Sequence, residues 1–167
     1  MADNRSMSKV EPIRTDGSPR EAVVADQIES VIRRLGPVLH THNVYVEADP
    51  DLTAICDSRA LTRVLENLLL NAHAFSPSGS TICIRAQRFS RGKVIVSVED
   101  TGIGIPVEDS ERIFEPFYSG HDSLNPGTGV GLSIVKEFAK DLGGAVWMES
   151  CPGRGSTFSF TMLAATE

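Results

Sequence analysis

VEDTGIGIP, residues 98–106, is the stretch on which the reading of the fold turns. It completes the run KVIVSVED (93–100), in which Val94, Val96 and Val98 share one face because successive side chains of a strand alternate. By the same parity Asp100 continues that face, so the strand is expected to end by aiming an acid at the core side. An ionised carboxylate is costly there unless something donates hydrogen bonds to it. An adenine amino group is one such donor, and Gly102 and Gly104 would let backbone approach a flat base with no Cβ in the way. The plainer account is a strand that ends in a glycine-rich turn, and the motif alone does not separate the two.

Upstream, TICIRAQRF (81–89) alternates in the same manner and is separated from Lys93 only by Ser-Arg-Gly, which predicts an antiparallel hairpin. Before it, DSRALTRVLENLLLNAHAF (57–75) carries Leu61, Val64, Leu65, Leu68, Ala72 and Phe75 on one helical stripe, with Asp57 or Ser58 as cap and SPSGS as the stop. Asn67 and Asn71 lie about 40° apart on a flank of that stripe. Asparagine is a mediocre helix former. The pair is either a solvated edge of the core or a set of neutral amide oxygens suited to Mg²⁺ on nucleotide phosphates.

Downstream, residues 101–126 hold little regular structure beyond a turn of helix near 109–113, and so long a loop is expected to be functional. Within it, RIFEPFYSG (112–120) concentrates Phe114, Phe117 and Tyr118, either as a satellite cluster anchoring the loop or as the hinge of a lid at 119–126. GTGVGLSIVKEFAKDLGG (127–144) places glycines 127, 129 and 131 where a helix over 129–142 begins. Free N–H groups and the helix dipole make such a place a phosphate site, although a flexible hinge has the same sequence. The GKS/T of a Walker loop and the preceding strand of a Rossmann fingerprint are both missing. AVWMES and STFSFTM, joined by CPGRG, close the chain as two strands.

Toward the amino terminus, residues 1–20 are polar and are expected to be a disordered leader or a cloning remnant, with one domain over 21–167. Val24, Ile28, Val31, Ile32 and Leu35 predict a helix from Glu21 to His40, and NVYVEA (43–48) and TAICD (53–57) predict strands. Elements mixed without regular βαβ repetition predict a two-layer α/β sandwich rather than a doubly wound sheet. A net charge of −6 argues against nucleic-acid or anionic-membrane binding. Cys56, Cys83 and Cys151 lack metal-type spacing and fit reduced thiols in a cytoplasm.

Taken in order, ENLLLNA, VEDTGIGIP, IFEPFY and GTGVGLSIVKEFAKDLGG resemble the N box, first glycine box, F box and second glycine box of sensor histidine kinases. From about Val24 to Met162 the chain is similar to their ATP-binding catalytic domain, of the Bergerat fold shared with DNA gyrase, Hsp90 and MutL. That resemblance implies an α+β two-layer sandwich in which a mixed, mostly antiparallel sheet of about five strands is covered on one face by three helices. By position it implies ATP and Mg²⁺ as cofactors, with Asn71 as the metal ligand and Asp100 as acceptor of the adenine amino group. Gly102, Gly104 and Ile105 would shape the base pocket, Phe114 and Phe117 brace the lid, and Gly127, Thr128, Gly129, Val130, Gly131 and Leu132 hold phosphates.

Asn67 stands where ATP-hydrolysing relatives carry a glutamate base, and an amide cannot take a proton at neutral pH. Glu66 sits about 100° round the helix and is not expected to replace it. Two cations usual in the family are absent, at Ala74 and Ser119, which implies weak nucleotide binding. None of His40, His42, His73 and His121 sits in an acceptor-histidine context. The implied partner is therefore a separate dimerisation or phosphoacceptor domain, with a response regulator beyond it and this chain a monomer by itself. A nucleotide-binding module without turnover, and a small ATPase, are the competing readings.

Overall fold

The computed structural model describes residues 18–90, 92–116, 118, 131–141 and 143–165. In chain order the elements are β1 (Arg20–Val23), α1 (Val24–Arg34), α2 (Gly36–Leu39), β2 (Asn43–Ala48), β3 (Thr53–Cys56) and α3 (Ser58–Phe75). They continue with β4 (Thr81–Phe89), β5 (Lys93–Asp100), α4 (Gly131–Asp141), β6 (Val146–Cys151) and β7 (Gly155–Leu163).

The predicted hairpin is the middle of the molecule. β4 and β5 pair antiparallel with Ile82 opposite Asp100 and Phe89 opposite Lys93. The sheet order is β2-β4-β5-β7-β6, and only the β2–β4 pairing is parallel. This is the mixed, mostly antiparallel five-stranded sheet expected from the sequence.

Alternation assigns its two faces. Val94, Val96, Val98 and Asp100 are buried while the residues between them are half-buried. On the buried face they meet Phe158, Phe160 and Met162 of β7 and the apolar sides of α1, α3 and α4, through Ile28, Leu65, Leu68, Leu69, Val135 and Phe138. Fully burying each such side chain is worth about 1.5–3 kcal/mol. On the other face Arg85 bridges Glu47 and Glu99, tying β2, β4 and β5 together, and the Ser97 and Ser159 hydroxyls bond at 2.8 Å.

One amino-terminal expectation is corrected. The helix drawn from Glu21 to His40 is instead a strand, a helix and a short second helix. β1 pairs antiparallel with β3, Arg20 opposite Cys56, in a separate two-stranded sheet. Val24, Ile28 and Val31 do carry the buried side of α1, which ends at its cap Leu35. Pro37 explains the break, since it cannot donate to a carbonyl four residues back and its ring crowds that carbonyl. The first described strand, β1, includes Arg20; residues 1–17 are outside the described residues.

The remaining elements fall close to their predicted places. Asp57 is the α3 cap, its carboxylate accepting from the Arg59 N–H at 2.9 Å. The turn expected near 109–113 begins as a 3₁₀ turn at Val107–Asp109. Among the described residues no helix is long and apolar enough to cross a membrane. The three cysteines are free; Cys56 and Cys83 are buried, and burial pushes the Cys56 thiol up to about 11.

Candidate nucleotide site

At the carboxyl end of α3 the chain is held almost wholly by backbone. The Ile103 N–H donates to the Phe75 carbonyl at 3.1 Å. A Cβ on Gly102 would overlap that same carbonyl and stand 2.9 Å from Asp100 Oδ1. On the other side, the Gly153 N–H donates to the Ile103 carbonyl at 2.7 Å and the Ile105 N–H to Ser150 Oγ at 2.7 Å. Gly104 adopts φ 74°, and a Cβ there would overlap the Cys151 carbonyl oxygen. At both glycines the space a Cβ would take is filled by the protein's own backbone.

Asp100 emerges from β5 into this junction and is 5% exposed, as the strand parity predicts. Its Oδ1 accepts from the Gly102 N–H at 2.9 Å. Burial pushes its pKa up; hydrogen bonds from the Gly102 and Ser156 backbone and the nearby Ser76 hydroxyl work against that, while Glu99 adds to the rise. The charged form is thus left under-compensated. Ser76 caps α3 at its carboxyl end, with its hydroxyl buried beside Asp100.

From Phe75 the site runs back along α3. Asn71 and Asn67 precede Phe75 by one and two turns and share its ridge, since residues four apart are helix neighbours. Both asparagines are half-buried. Asn67 faces the first residue of α4: a Cβ built on Gly131 would lie 3.2 Å from Asn67 Oδ1. Gly131 and Leu132 therefore stand beside the ridge in the first described turn of α4. Glu66, as expected, points elsewhere and pairs with Arg34 of α1 at 2.5 Å. Ala74, at the first position lacking the usual cation, is exposed.

Phe114 is half-buried and meets Phe158 edge-on at a centroid distance of 6.2 Å. The Tyr118 hydroxyl donates to the buried Asp109 carboxylate, and the Arg112 guanidinium lies 4.6 Å above the Tyr118 ring. Phe117, Ser119, His121 and the phosphate candidates Gly127, Thr128, Gly129 and Val130 are outside the described residues, as is the lid expected at 119–126.

Three features were not read from the sequence. The turn 151–155 grips the Asp100 loop, the Ser76 hydroxyl lies buried beside Asp100, and His42 Nε2 lies 2.9 Å from His73 Nδ1 while its Nδ1 lies 3.1 Å from Ser80 Oγ. Only the Pro-Gly pair of CPGRG signalled the first, and then merely as a turn.

The geometry defines a class: an α/β sandwich with a buried acid at a strand end, read against a helix that presents amides along one ridge. Residues 56–166 match the family described as Histidine kinase-, DNA gyrase B-, and HSP90-like ATPase. The sensor-like histidine kinase SenX3 of Mycobacterium tuberculosis is 36% identical over 162 residues, covering 95% of this chain and 36% of that protein. Sensor histidine kinase WalK of Bacillus subtilis is 36% identical over 118 residues, covering 68% of this chain and 19% of that protein.

Among solved structures, the mycobacterial sensor histidine kinase MprB superposes with a TM-score of 0.80 at 25% identity, covering 89% of this chain and 99% of that one. Full-length ShkA in complex with AMPPNP gives a TM-score of 0.79 at 28% identity, covering 90% of this chain and 32% of that one. The chain belongs to the histidine kinase-, DNA gyrase B- and HSP90-like ATPase family, in its histidine-kinase branch. It spans well under half the length of the curated relatives it matches.

Proposed function

We propose that this chain is the ATP-binding catalytic domain of a protein-histidine kinase, passing the γ-phosphoryl of Mg-ATP to a histidine on a separate phosphoacceptor domain. That domain lies in the same full-length kinase or on a partner protein, with a response regulator downstream. The chain itself acts as a monomer in the cytoplasm.

The observation that carries this reading is the buried Asp100 at the end of β5, whose pKa burial raises despite its hydrogen bonds. Accepting from the adenine 6-amino group would add a further donor to that carboxylate. Asn71 presents a neutral amide oxygen, which suits Mg²⁺ already largely ligated by phosphate and water. When bound, Mg²⁺ would supply positive charge to screen the phosphates. Asn67 stands beside the first described turn of α4, and the amino-terminal end of a helix suits phosphates.

Neither asparagine can act as a base. Imidazole near neutral pH needs little activation, so transfer to histidine suits this site, while hydrolysis does not. Positioning and charge stabilisation are what phosphoryl transfer mostly asks of a protein.

The test is radiolabelled ATP offered to the chain with and without an added phosphoacceptor hairpin. Label is expected on the hairpin's histidine and none on this chain; label on this chain alone overturns the reading. A second reading, a nucleotide-binding module without turnover, is favoured by the exposed Ala74 in place of a phosphate-facing cation. Mg-ATP binding with no phosphohistidine in that assay would select it.

A further inference from the structure

Between α1 and α3 lies an open groove of about 410 Å³ that the nucleotide reading leaves unused. Gln27, Ser30 and Arg34 of α1 face Arg59, Thr62 and Glu66 of α3 across it. Two contacts cross the groove: the Thr62 hydroxyl donates to Gln27 Oε1 at 3.2 Å, and Arg34 pairs with Glu66 at 2.5 Å. Glu66 is about 100° round α3 from Asn67, so the groove opens away from the asparagine ridge.

Its charge runs against that of the molecule. Three guanidiniums, of Arg34, Arg59 and Arg63, line it against the single carboxylate of Glu66, which Arg34 already engages. Arg59 and Arg63 are exposed and have no ion pair among the described residues. The acid nearest in sequence, Asp57, accepts from the Arg59 backbone N–H as the α3 cap. The two arginines stand four residues apart on one helix, where like charges destabilise it. A chain of net charge −6 repels anions as a whole, so an anionic ligand held anywhere is drawn to a local basic place such as this.

Length decides between a small anion and a chain. Arg59, Arg63, Glu66 and Leu70 follow one another on the outward ridge of α3 over about 16 Å. The ridge ends in Leu70, a large apolar side chain that is 40% exposed. A phosphate would span the two arginines and leave Leu70 untouched. A peptide carrying both carboxylates and an apolar residue would use the whole ridge. We infer that the groove between α1 and α3 docks an acidic peptide segment of a partner protein, its carboxylates on Arg59 and Arg63 and an apolar side chain on Leu70. None of these three residues belongs to the proposed nucleotide site, so the docking stands or falls apart from it.

The probe is a fluorescent peptide of glutamates with leucines a helical turn apart, titrated with the chain at low salt and read by anisotropy. Wild type is expected to bind it, and to bind its glutamine counterpart at least about tenfold more weakly. Arg59→Glu combined with Arg63→Glu should cost at least about tenfold, and Leu70→Ser about threefold, with urea unfolding unchanged because all three side chains are exposed. Lys140→Glu combined with Arg154→Glu alters net charge equally, outside the groove, and should leave the affinity within about twofold. Absence of binding by wild type overturns the proposal, and so does an equal loss in the two double variants. Displacement of the peptide by inorganic phosphate at equal concentration also overturns it, since the groove would then be a small-anion site. A Leu70→Ser variant that binds like wild type removes the apolar contact and with it the choice of a peptide.

Discussion

The two ends of the α3 ridge are built differently. At the Phe75 end, backbone presses on backbone: Gly102 on the Phe75 carbonyl, Gly104 on the Cys151 carbonyl, and a carboxylate 5% exposed between them. At the Asn67 end, half-buried neutral amides face a helix start across ordinary contacts, with 3.2 Å between Asn67 Oδ1 and the Cβ position of Gly131. In the reading proposed above, the first is the base end, set by backbone contacts around a carboxylate whose charge burial disfavours. The second is the phosphate end, which among the described residues offers neutral amides rather than charge. On that reading specificity belongs to the first and chemistry to the second.

The largest expected effect breaks or confirms this contrast directly. Gly102→Ala forces a Cβ onto a backbone oxygen that cannot step aside, and is expected to cost more than about 3 kcal/mol or prevent folding. Gly131→Ala meets only the end of an asparagine side chain and gains up to about 1 kcal/mol of helix propensity. Urea unfolding of the two variants should differ in sign, or nearly so. Equal losses would mean the ends are equally rigid.

Next in size is Asp100→Ala, which should weaken Mg-ATP about tenfold to a hundredfold, the range of a charged hydrogen bond. The same group makes wild type prefer ATP to GTP by at least about tenfold. Asp100→Asn sharpens the point. Because burial raises the folded-state pKa of Asp100, folding takes up a proton more readily than the unfolded chain does. The ionised group therefore costs stability above its folded pKa, and that cost fades as pH falls through it toward the ordinary carboxylate range. The asparagine variant should be more stable than wild type at pH 7, lose this margin in acid, and still bind nucleotide poorly. An asparagine variant less stable at neutral pH would show that donors outweigh burial at this carboxylate.

Asn71→Ala is expected to act on the metal rather than the base. Mg-ATP affinity should fall about tenfold, while metal-free ATP and adenosine bind as before. Loss of adenosine binding as well would place Asn71 in the base pocket and erase the division between the ends.

How legible each end was follows from the same physics. Alternation carried Asp100 to the core side, and a 3.6-residue period carried Asn67 and Asn71 to one ridge, because both periods are local properties of the chain. The β4–β5 hairpin was readable for the same reason. What required distant contacts was not. Nothing in REAV announces a strand until TAIC is seen opposite it, and a helical stripe was extended through it to His40 although Pro37 argued for a break. The glycines of TGIG show their conformational freedom in the sequence, but the Cys151 turn that crowds Gly104 lies some fifty residues away and is not legible there. Ser76 read as punctuation because a serine before proline usually is.

The smallest effect tests whether the middle of the ridge is coupled to the rest of the sheet. His73, two residues past Asn71, touches His42 of the loop entering β2, and Ser80 holds the other side of that ring. Burial foremost, then the His73 ring, lowers the His42 pKa, against a raising contribution from its bond to Ser80. The folded chain therefore resists a proton that the unfolded chain accepts near the ordinary imidazole value of about 6.5. Stability contributed by neutral His42 is whole above that value and declines as pH falls through it toward the lowered folded pKa. His42→Gln keeps a donor and an acceptor but does not titrate, so its unfolding free energy should fall less than wild type's between about pH 7 and 5. Parallel curves for the two proteins would mean the imidazole pair opens to water before it charges, and that this junction does not help hold α3 to the sheet edge.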